Sequence, residues 1–341
     1  MRNALTSMLL ALAGASMLLA GAPSAGGESA LLPAELRAQS RTLFGTVAPV
    51  REEEVQAPAA VLGRALFWDG RLSLDGKTAC ASCHAREDHG ADRRRFSITA
   101  KGQPTTLHSQ VIFMAQDQSA LRWYGDRRDG AQQAERSLTG SMGFANAADV
   151  NPLLKALGYE PMFRAAFPDQ ADAMTPSNYA AALQAYQKTL RTPAPFDAFL
   201  QGDDRALAPR QLAGLRRFVD SGCASCHYGP LLGGGSLQKF GQRKDYWLAT
   251  GSSPADPGRY NATKLEADRY VFRVAMLRNI ARTAPYFHDG SVDRLEDAVR
   301  IMAEVQLGLR LADDEVAEIV AFLGSLTGEL PAHYSAPVLP R

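Results

Sequence analysis

The sequence predicts a mainly α-helical protein built from two related domains in tandem. The string Cys-Ala-Ser-Cys-His begins at Cys80 and recurs at Cys223, 143 residues later. A leucine-bearing segment with helical spacing, an aromatic residue and an aspartate precede each copy, and strand-like runs are few. This repeat is far too long for a solenoid, so each copy is expected to lie in its own domain.

The repeated string has the spacing of the c-type haem attachment signature. In such a site two thiols add to the vinyl groups of the macrocycle, and the adjacent imidazole ligates the iron. We therefore predict two cytochrome c-like domains with covalently bound haem c, attached through Cys80, Cys83 and His84 and through Cys223, Cys226 and His227. A four-cysteine zinc site would leave both histidines unexplained. A dithiol redox site would need a nearby thioredoxin-like alternation of strands and helices.

Length and charge narrow the class of protein further. A chain of 341 residues is long enough to form two hydrophobic cores. Its formal net charge of +1 points to neither nucleic acid nor an anionic membrane as a partner.

Residues 1–25 are typical of a secretory signal peptide. Arg2 is followed by an apolar run over residues 8–20 and by small residues through Ala25. The run is too short to span a bilayer comfortably, and no later segment is apolar enough. Export agrees with c-type haem, which is attached outside the cytoplasm, and predicts a periplasmic location.

The first haem domain is predicted over residues 35–192. A helix begins near Pro58 and leads into the first motif. Thr175 and Pro176 open another helix as its cap and first-turn proline. The proline-rich residues 192–195 end that helix and mark the predicted domain boundary.

The second haem domain is predicted over residues 196–331. The helix before its motif ends at Gly222, placed as a C-terminal cap. The glycine-rich residues 229–235 form a loop of the kind that wraps haem, and the last two helices cover residues 293–307 and 313–326.

From about Leu62 to Pro331 the chain resembles the bacterial di-haem cytochrome c peroxidases. The resemblance is carried by the two motifs and by the strings YVFRVAMLRNIARTAPYFHDG (270–290), LEDAVRIM (295–302) and IVAFL (319–323). It implies that the N-terminal haem reduces hydrogen peroxide to water. The C-terminal haem would receive electrons from a small cytochrome c or cupredoxin. A homodimer is compatible with this family.

The resemblance also assigns a second ligand to the C-terminal haem. Met302 matches the family's axial methionine opposite His227, and Met276 is the alternative thioether. The other interpretation is that Met302 only packs in the hydrophobic core. Related enzymes of methylamine utilisation carry tyrosine at this position, so methionine favours an electron-accepting peroxidase.

Three further residues match functional positions of the family. Trp123 falls where a tryptophan relays electrons between the haems, with Trp68 and Trp247 as rivals. Gln133 fits a glutamine on the peroxide side. His288 fits a loop histidine near the haems, where a structural role is the alternative.

The chain departs from the family on the peroxide side. Ala100 stands where the family has a removable distal histidine, with His89 and His108 as the available substitutes. His108 is the better placed of the two, because His89 follows His84 too closely to reach the opposite face. The iron held by His84 is therefore expected to be open at rest unless His108 caps it.

The catalytic glutamate of the family is also missing. Residues 138–143 (LTGSMG) replace its segment, and Glu135 or Asp149 could stand in.

Two ligand questions stay open at this point. The family binds calcium between the haems, and Thr283 and Pro285 could supply carbonyls for it. The family's asparagine position, however, carries His108, a poor ligand for a hard cation.

Residues 86–95 form either a solvated loop or a segment in which one arginine pairs with a haem propionate.

Two other functions compete with the peroxidase. A di-haem electron-transfer protein would have both irons six-coordinate. An enzyme that oxidises residues of a partner protein would need only an open iron and a docking face, which the altered peroxide side allows.

Overall fold

The computed structural model describes residues 33–341 and confirms a mainly helical chain. Within this range the α-helices are α1 (Pro33–Leu43), α2 (Glu52–Val55), α3 (Pro58–Trp68), α4 (Gly130–Thr139), α5 (Val150–Ala156), α6 (Glu160–Ala166), α7 (Pro176–Lys188), α8 (Pro195–Gln201), α9 (Pro209–Asp220), α10 (Tyr246–Thr250), α11 (Tyr260–Thr263), α12 (Leu295–Met302) and α13 (Asp313–Gly324). Two strands, β1 (Leu237–Lys239) and β2 (Val271–Arg273), pair antiparallel with Leu237 opposite Arg273.

Short helical turns connect these elements. One-turn 3₁₀ segments cover Gly70–Leu72, Cys80–Ser82, Ala115–Asp117, Ala147–Asp149, Cys223–Ser225, Glu266–Asp268 and Ile280–Arg282. Both repeated motifs thus begin with the same turn. A π-helical turn, Ala303–Leu307, continues α12, so the predicted helix over residues 293–307 is regular only from Leu295 to Met302.

The helix that leads into each motif crosses another helix through a glycine. In the first half α3 packs against α7. A Cβ added at Gly63 would lie 1.9 Å from the carbonyl oxygen of Ala182. In the second half α9 packs against α13, and a Cβ at Gly214 would lie 1.8 Å from the carbonyl oxygen of Glu318. Only glycine allows the backbones to approach this closely.

Two separate hydrophobic cores surround these crossings. The first core is drawn mostly from residues 47–190 and the second mostly from residues 196–326. The first and last described segments cross over between them. Leu36 of α1 lies in the second core, whereas Tyr334, beyond the predicted end of the second domain, is fully buried in the first.

An aromatic cluster lies beside the second motif. Tyr124, Phe240, Tyr246 and Phe272 form its buried part, and Met302 packs against it. This cluster joins residues that precede the second motif by about a hundred positions to residues that follow it, so it positions the functional site.

Several local predictions are confirmed. Thr175 Oγ1 accepts a hydrogen bond from the backbone N–H of Asn178 at 3.2 Å and caps α7. Gly222 has φ +87°, the left-handed conformation expected after α9. The predicted signal segment, residues 1–25, lies outside the described residues.

Within residues 33–341, no helix is both long and apolar enough to cross a lipid bilayer.

Candidate functional site

A large, mostly apolar cavity opens beside the second repeated motif. It holds about 1650 Å³ of space not filled by atoms, counting its open mouth. Residues from both halves of the chain line it, among them His108, Gln110, Gln118, Trp123, Cys223, Cys226, His227, Arg273, Met276, Thr283, Pro285, His288 and Met302. The predicted attachment residues of the second motif, the predicted relay tryptophan and the predicted axial methionine therefore share one cavity.

The histidines of the two motifs have matching environments. Nδ1 of His84 lies 3.0 Å from the carbonyl oxygen of Gly90, and Nδ1 of His227 lies 3.0 Å from that of Leu232. An Nδ1–H donated to a carbonyl leaves Nε2 with a lone pair and fixes the ring, as in most metal-ligating histidines. Burial lowers the pKa of both imidazoles, which favours the neutral, ligating form.

The donor groups around this cavity fit a c-type haem. Two thiols, one oriented imidazole and a thioether line walls that are otherwise mainly apolar. This is the set that haem attachment and His/Met ligation require. Met276 also lines the cavity, so the geometry leaves both sulfurs as candidates. Met302 has the distinctive position, because the π turn begins directly after it and such turns are frequent at functional sites.

Trp123, His108 and His288 are linked by hydrogen bonds. Trp123 donates from Nε1 to the carbonyl oxygen of His108 at 2.9 Å. His108 in turn donates its backbone N–H to the carbonyl oxygen of His288 at 2.8 Å. The two rival tryptophans lie outside this set, since Trp68 packs on Tyr334 and Trp247 on Tyr270.

His288 is buried among aromatic rings. Its ring centroid lies 4.4 Å from that of Phe272 and 6.4 Å from that of Trp123. Nε2 has no hydrogen-bond partner among the described residues, and Asp256 Oδ2 lies 3.9 Å away. Burial lowers the pKa of His288, so the ring is neutral at pH 7.

The predicted peroxide-side groups have different environments. Gln133 lies on α4, and its amide oxygen is buried with no partner within residues 33–341. Glu135 is exposed. Asp149 is exposed and accepts the backbone N–H of Asn146 at 2.8 Å, which is a capping role. The unpaired amide of Gln133 is thus the most distinctive polar group of the three.

Two of the three departures from the family pattern, Ala100 and the segment 138–143, lie together. Ala100 donates its backbone N–H to the carbonyl oxygen of Ser141, inside the replaced segment 138–143. His108 is buried and lines the cavity, with Nδ1 3.3 Å from the carbonyl oxygen of Arg94. His89 is not among the cavity residues.

The predicted calcium donors Thr283 and Pro285 line the same cavity as His108. Across the described part of the chain, no three His, Cys, Asp or Glu side chains are arranged to hold a metal ion. A calcium site would therefore depend on carbonyl oxygens and stays a prediction.

The segment 86–95 has both buried and exposed residues. Asp92 is buried and accepts hydrogen bonds from Arg94, and Arg86 donates to the carbonyl oxygen of Pro331 at 3.1 Å. The sequence left two interpretations of this segment open, a solvated loop and an arginine that pairs with a haem propionate, and it did not single out Arg273. Alternate residues of a strand share a face, so the sequence of β2 places Arg273 on the same face as Val271. That pattern gives no sign of a function for Arg273.

Comparisons with known proteins identify a family. Residues 57–205 match the family model described as di-haem cytochrome c peroxidase. The chain is 40% identical over 299 residues to cytochrome c551 peroxidase of Pseudomonas aeruginosa, covering 86% of this chain and 85% of that protein. It is 27% identical to the methylamine utilization protein MauG of Methylophilus methylotrophus, covering 83% and 86%.

A solved structure has a similar fold. It is described as a MauG-like protein associated with microbial copper homeostasis. It superposes with a TM-score of 0.72 at 27% identity and covers 86% of this chain and 96% of that chain. With two motifs of matching geometry and a peroxidase relative similar over most of both chains, the chain belongs to the di-haem cytochrome c peroxidase family.

Proposed function

We propose that this chain is a cytochrome c peroxidase that reduces hydrogen peroxide to two waters, with two protons from the solvent and two electrons from a small cytochrome c or cupredoxin. One observation carries the proposal: a single cavity is lined by His227, Met302 and Trp123. The 40% identity to a cytochrome c551 peroxidase supports the same activity. Electrons from a donor would enter at this cavity and leave it toward the first motif.

The proposal includes two cytochrome c-like domains, over residues 35–192 and 196–331, with haem c attached covalently to each motif. His84 and His227 would each ligate one iron, and Met302 would complete the second. When bound, haem supplies the redox chemistry, and the protein supplies ligation, access and electrostatics. Covalent attachment requires export, so the protein would act in the periplasm after removal of residues 1–25.

Trp123 would carry electrons between the two halves. Its ring lines the cavity of the second motif, while its Nε1–H is held on the carbonyl oxygen of His108 from the first half. This hydrogen bond fixes the ring and so keeps the electron path constant. His288, in edge contact with Trp123, would support that orientation.

Gln133 would act on the peroxide. Its unpaired amide oxygen is available to accept a hydrogen bond from a peroxide O–H. With a water or carboxylate, it would help move a proton from the inner to the outer oxygen. That shift makes the departing oxygen a good leaving group, which is positioned acid–base catalysis.

The test uses purified holo-protein with reduced cytochrome c or cupredoxin. Peroxide-dependent oxidation of the donor is expected. The ferric protein should have one high-spin haem and one low-spin haem with His/Met ligands. Two low-spin centres and no donor oxidation would instead identify an electron-transfer protein.

Oxidation of a partner protein is the second candidate. It is favoured by the segment 138–143, which carries no carboxylate in place of the family's glutamate. A mass change in a protein encoded beside this one, on co-expression and peroxide treatment, would support it. Donor oxidation without such a change would exclude it.

A further inference from the structure

Arg273 is a buried cation that has no acidic partner among residues 33–341. The residue ends β2, is 2% exposed and lines the large cavity. Its guanidinium donates from Nε to the carbonyl oxygen of Arg122 at 3.0 Å and from Nη2 to Gln110 Oε1 at 2.9 Å. Nη1 donates to Gln118 Oε1. Within residues 33–341, every acceptor around this charge is neutral.

A second buried arginine, Arg278, has a carboxylate partner. Arg278 is 0% exposed, and its Nη2 donates to Asp197 Oδ1 at 2.9 Å, with a second contact to Oδ2 of the same carboxylate. Burying a guanidinium is costly unless an anion compensates it. The same chain thus pairs one buried arginine with a carboxylate and leaves the other facing a cavity.

The charge on Arg273 persists at neutral pH. Burial lowers the pKa of its guanidinium to about 10, which still leaves the group protonated at pH 7. The amide oxygens of Gln110 and Gln118 both line the cavity and orient the guanidinium there. The site is therefore a preformed position for an anion inside an otherwise mainly apolar space.

We infer that Arg273 pairs with a propionate carboxylate of the haem attached to Cys223 and Cys226. The inference rests on the haem assignment of the proposed function, not on the peroxidase activity. A propionate supplies the anion that Arg273 lacks, and Arg–carboxylate pairs are strong, directional hydrogen bonds. The arginines of segment 86–95 are less suited, since Arg94 is already bound to Asp92 and Arg86 to carbonyl oxygens.

The pair has an electrostatic consequence for the iron. A fixed positive charge nearby favours the reduced haem, which carries one positive charge less than the oxidised haem. It also keeps the propionate ionised across the physiological pH range. The reduction potential of this haem should therefore be held high and be nearly independent of pH.

The test compares R273Q, R273K and R269Q by spectroscopic redox titration of the holo-protein between acid and alkaline pH. Arg269 is the matched control, because it lies four residues away but is paired with Glu266 at the surface. In R273Q the potential of the haem held by His227 should fall. It should also gain a pH dependence, since the propionate without its cation titrates in the apolar cavity.

At acid pH the R273Q potential should approach that of the wild type, because the missing cation and the protonated propionate offset each other. R273K should keep most of the wild-type potential, and R269Q should match the wild type throughout. A wild-type potential and pH profile in R273Q would overturn the inference. A shift confined to the other haem would overturn it as well.

A crystal structure of the wild-type holo-protein provides an independent readout if R273Q does not fold. A propionate oxygen within hydrogen-bond distance of the Arg273 guanidinium is expected; a guanidinium bound only by Gln110, Gln118 and carbonyl oxygens would contradict the inference. Neither readout needs turnover. A haem-loaded protein that has the Arg273 pair but does not oxidise donor with peroxide would overturn the proposed function alone.

Discussion

At the scale of single residues, Met302 and Met276 line one cavity, and the proposed role of the second haem depends on a methionine ligand to its iron. Met302 ends α12, and Met276 lies in the segment after β2. A thioether ligand gives a closed, high-potential centre, whereas its loss opens the iron.

We expect M302L to convert the second haem from the proposed low-spin ferric His/Met form to a high-spin or differently ligated form and to lower its reduction potential. M276L is the matched control, since it removes the other sulfur from the same cavity and should leave the spectrum unchanged. Visible and electron paramagnetic resonance spectra of the ferric protein make the comparison. The reverse pattern would assign the ligand to Met276.

Asp92, in the loop after the first motif, makes the stability of the fold depend on pH. Burial opposes its ionisation, but hydrogen bonds from Arg94 and Ser97 outweigh burial and hold the pKa of Asp92 below its usual value. The folded pKa is therefore lower than the unfolded value of about 3.9. Ionised Asp92 stabilises the fold above about pH 4, and this contribution is lost as pH falls through the folded pKa.

Accordingly, D92N should lower the free energy of unfolding by about 1–3 kcal/mol at pH 7. The difference from wild type should shrink as the pH falls below about 4. Urea unfolding at a series of pH values measures this. D293N, at an exposed position, is the control and should follow the wild type throughout. A D92N deficit that stays constant down to the lowest pH would rule out this account.

At the scale of elements, each motif-bearing helix depends on one glycine at a helix crossing. Gly63 faces α7 and Gly214 faces α13, each against a backbone carbonyl. A methyl group at either position overlaps main-chain atoms, which cannot move aside as a flexible side chain could. The two crossings therefore fix the helices from which the motifs emerge.

We predict that G214A destabilises the protein by about 3 kcal/mol, the upper end of the usual overpacking cost. G324A is the control, because no heavy atom lies within 4 Å of a Cβ placed at Gly324 of α13. G324A should be neutral or slightly stabilising. Thermal unfolding of both variants measures the difference. Equal melting temperatures for G214A and G324A would show that the crossing can relax.

At the scale of the whole molecule, α1 and the segment after Pro331 tie the two cores together. α1 packs with α8 of the second half, and Arg37 pairs with Asp204. The segment after Pro331 returns to the first core, where Tyr334 packs on Phe113 at 4.8 Å between ring centroids and donates its hydroxyl to the carbonyl oxygen of His84. The last residues of the chain thus support the first motif.

Y334A should lower the free energy of unfolding by about 3–5 kcal/mol, as for other large buried aromatics. It should also loosen the backbone at His84. The spectrum of the first haem should therefore change more than that of the second. Y334F keeps the ring and should lose about 1 kcal/mol with the hydrogen bond. V338A, at a side chain that is 95% exposed, is the control. An unaffected first haem in folded Y334A would contradict the supporting role.

The sequence by itself determined the features that depend on local spacing. The Cys-x-x-Cys-His strings, the Thr175 cap and the Gly222 terminus each need only a few neighbouring residues, so their chemistry could be read directly. The likeness to a family added Met302 and Trp123, and both line the cavity.

Tertiary structure alone decided what depends on distant contacts. Gly63 and Gly214 look like ordinary helix interruptions until the opposite backbone is in place. The return of Tyr334 to the first core leaves no local pattern. Arg273 is one arginine among many until its burial is known, together with the lack of a carboxylate beside it in the described part of the chain. Burial and charge compensation are properties of the packed chain, because they depend on which residues meet and not on their order.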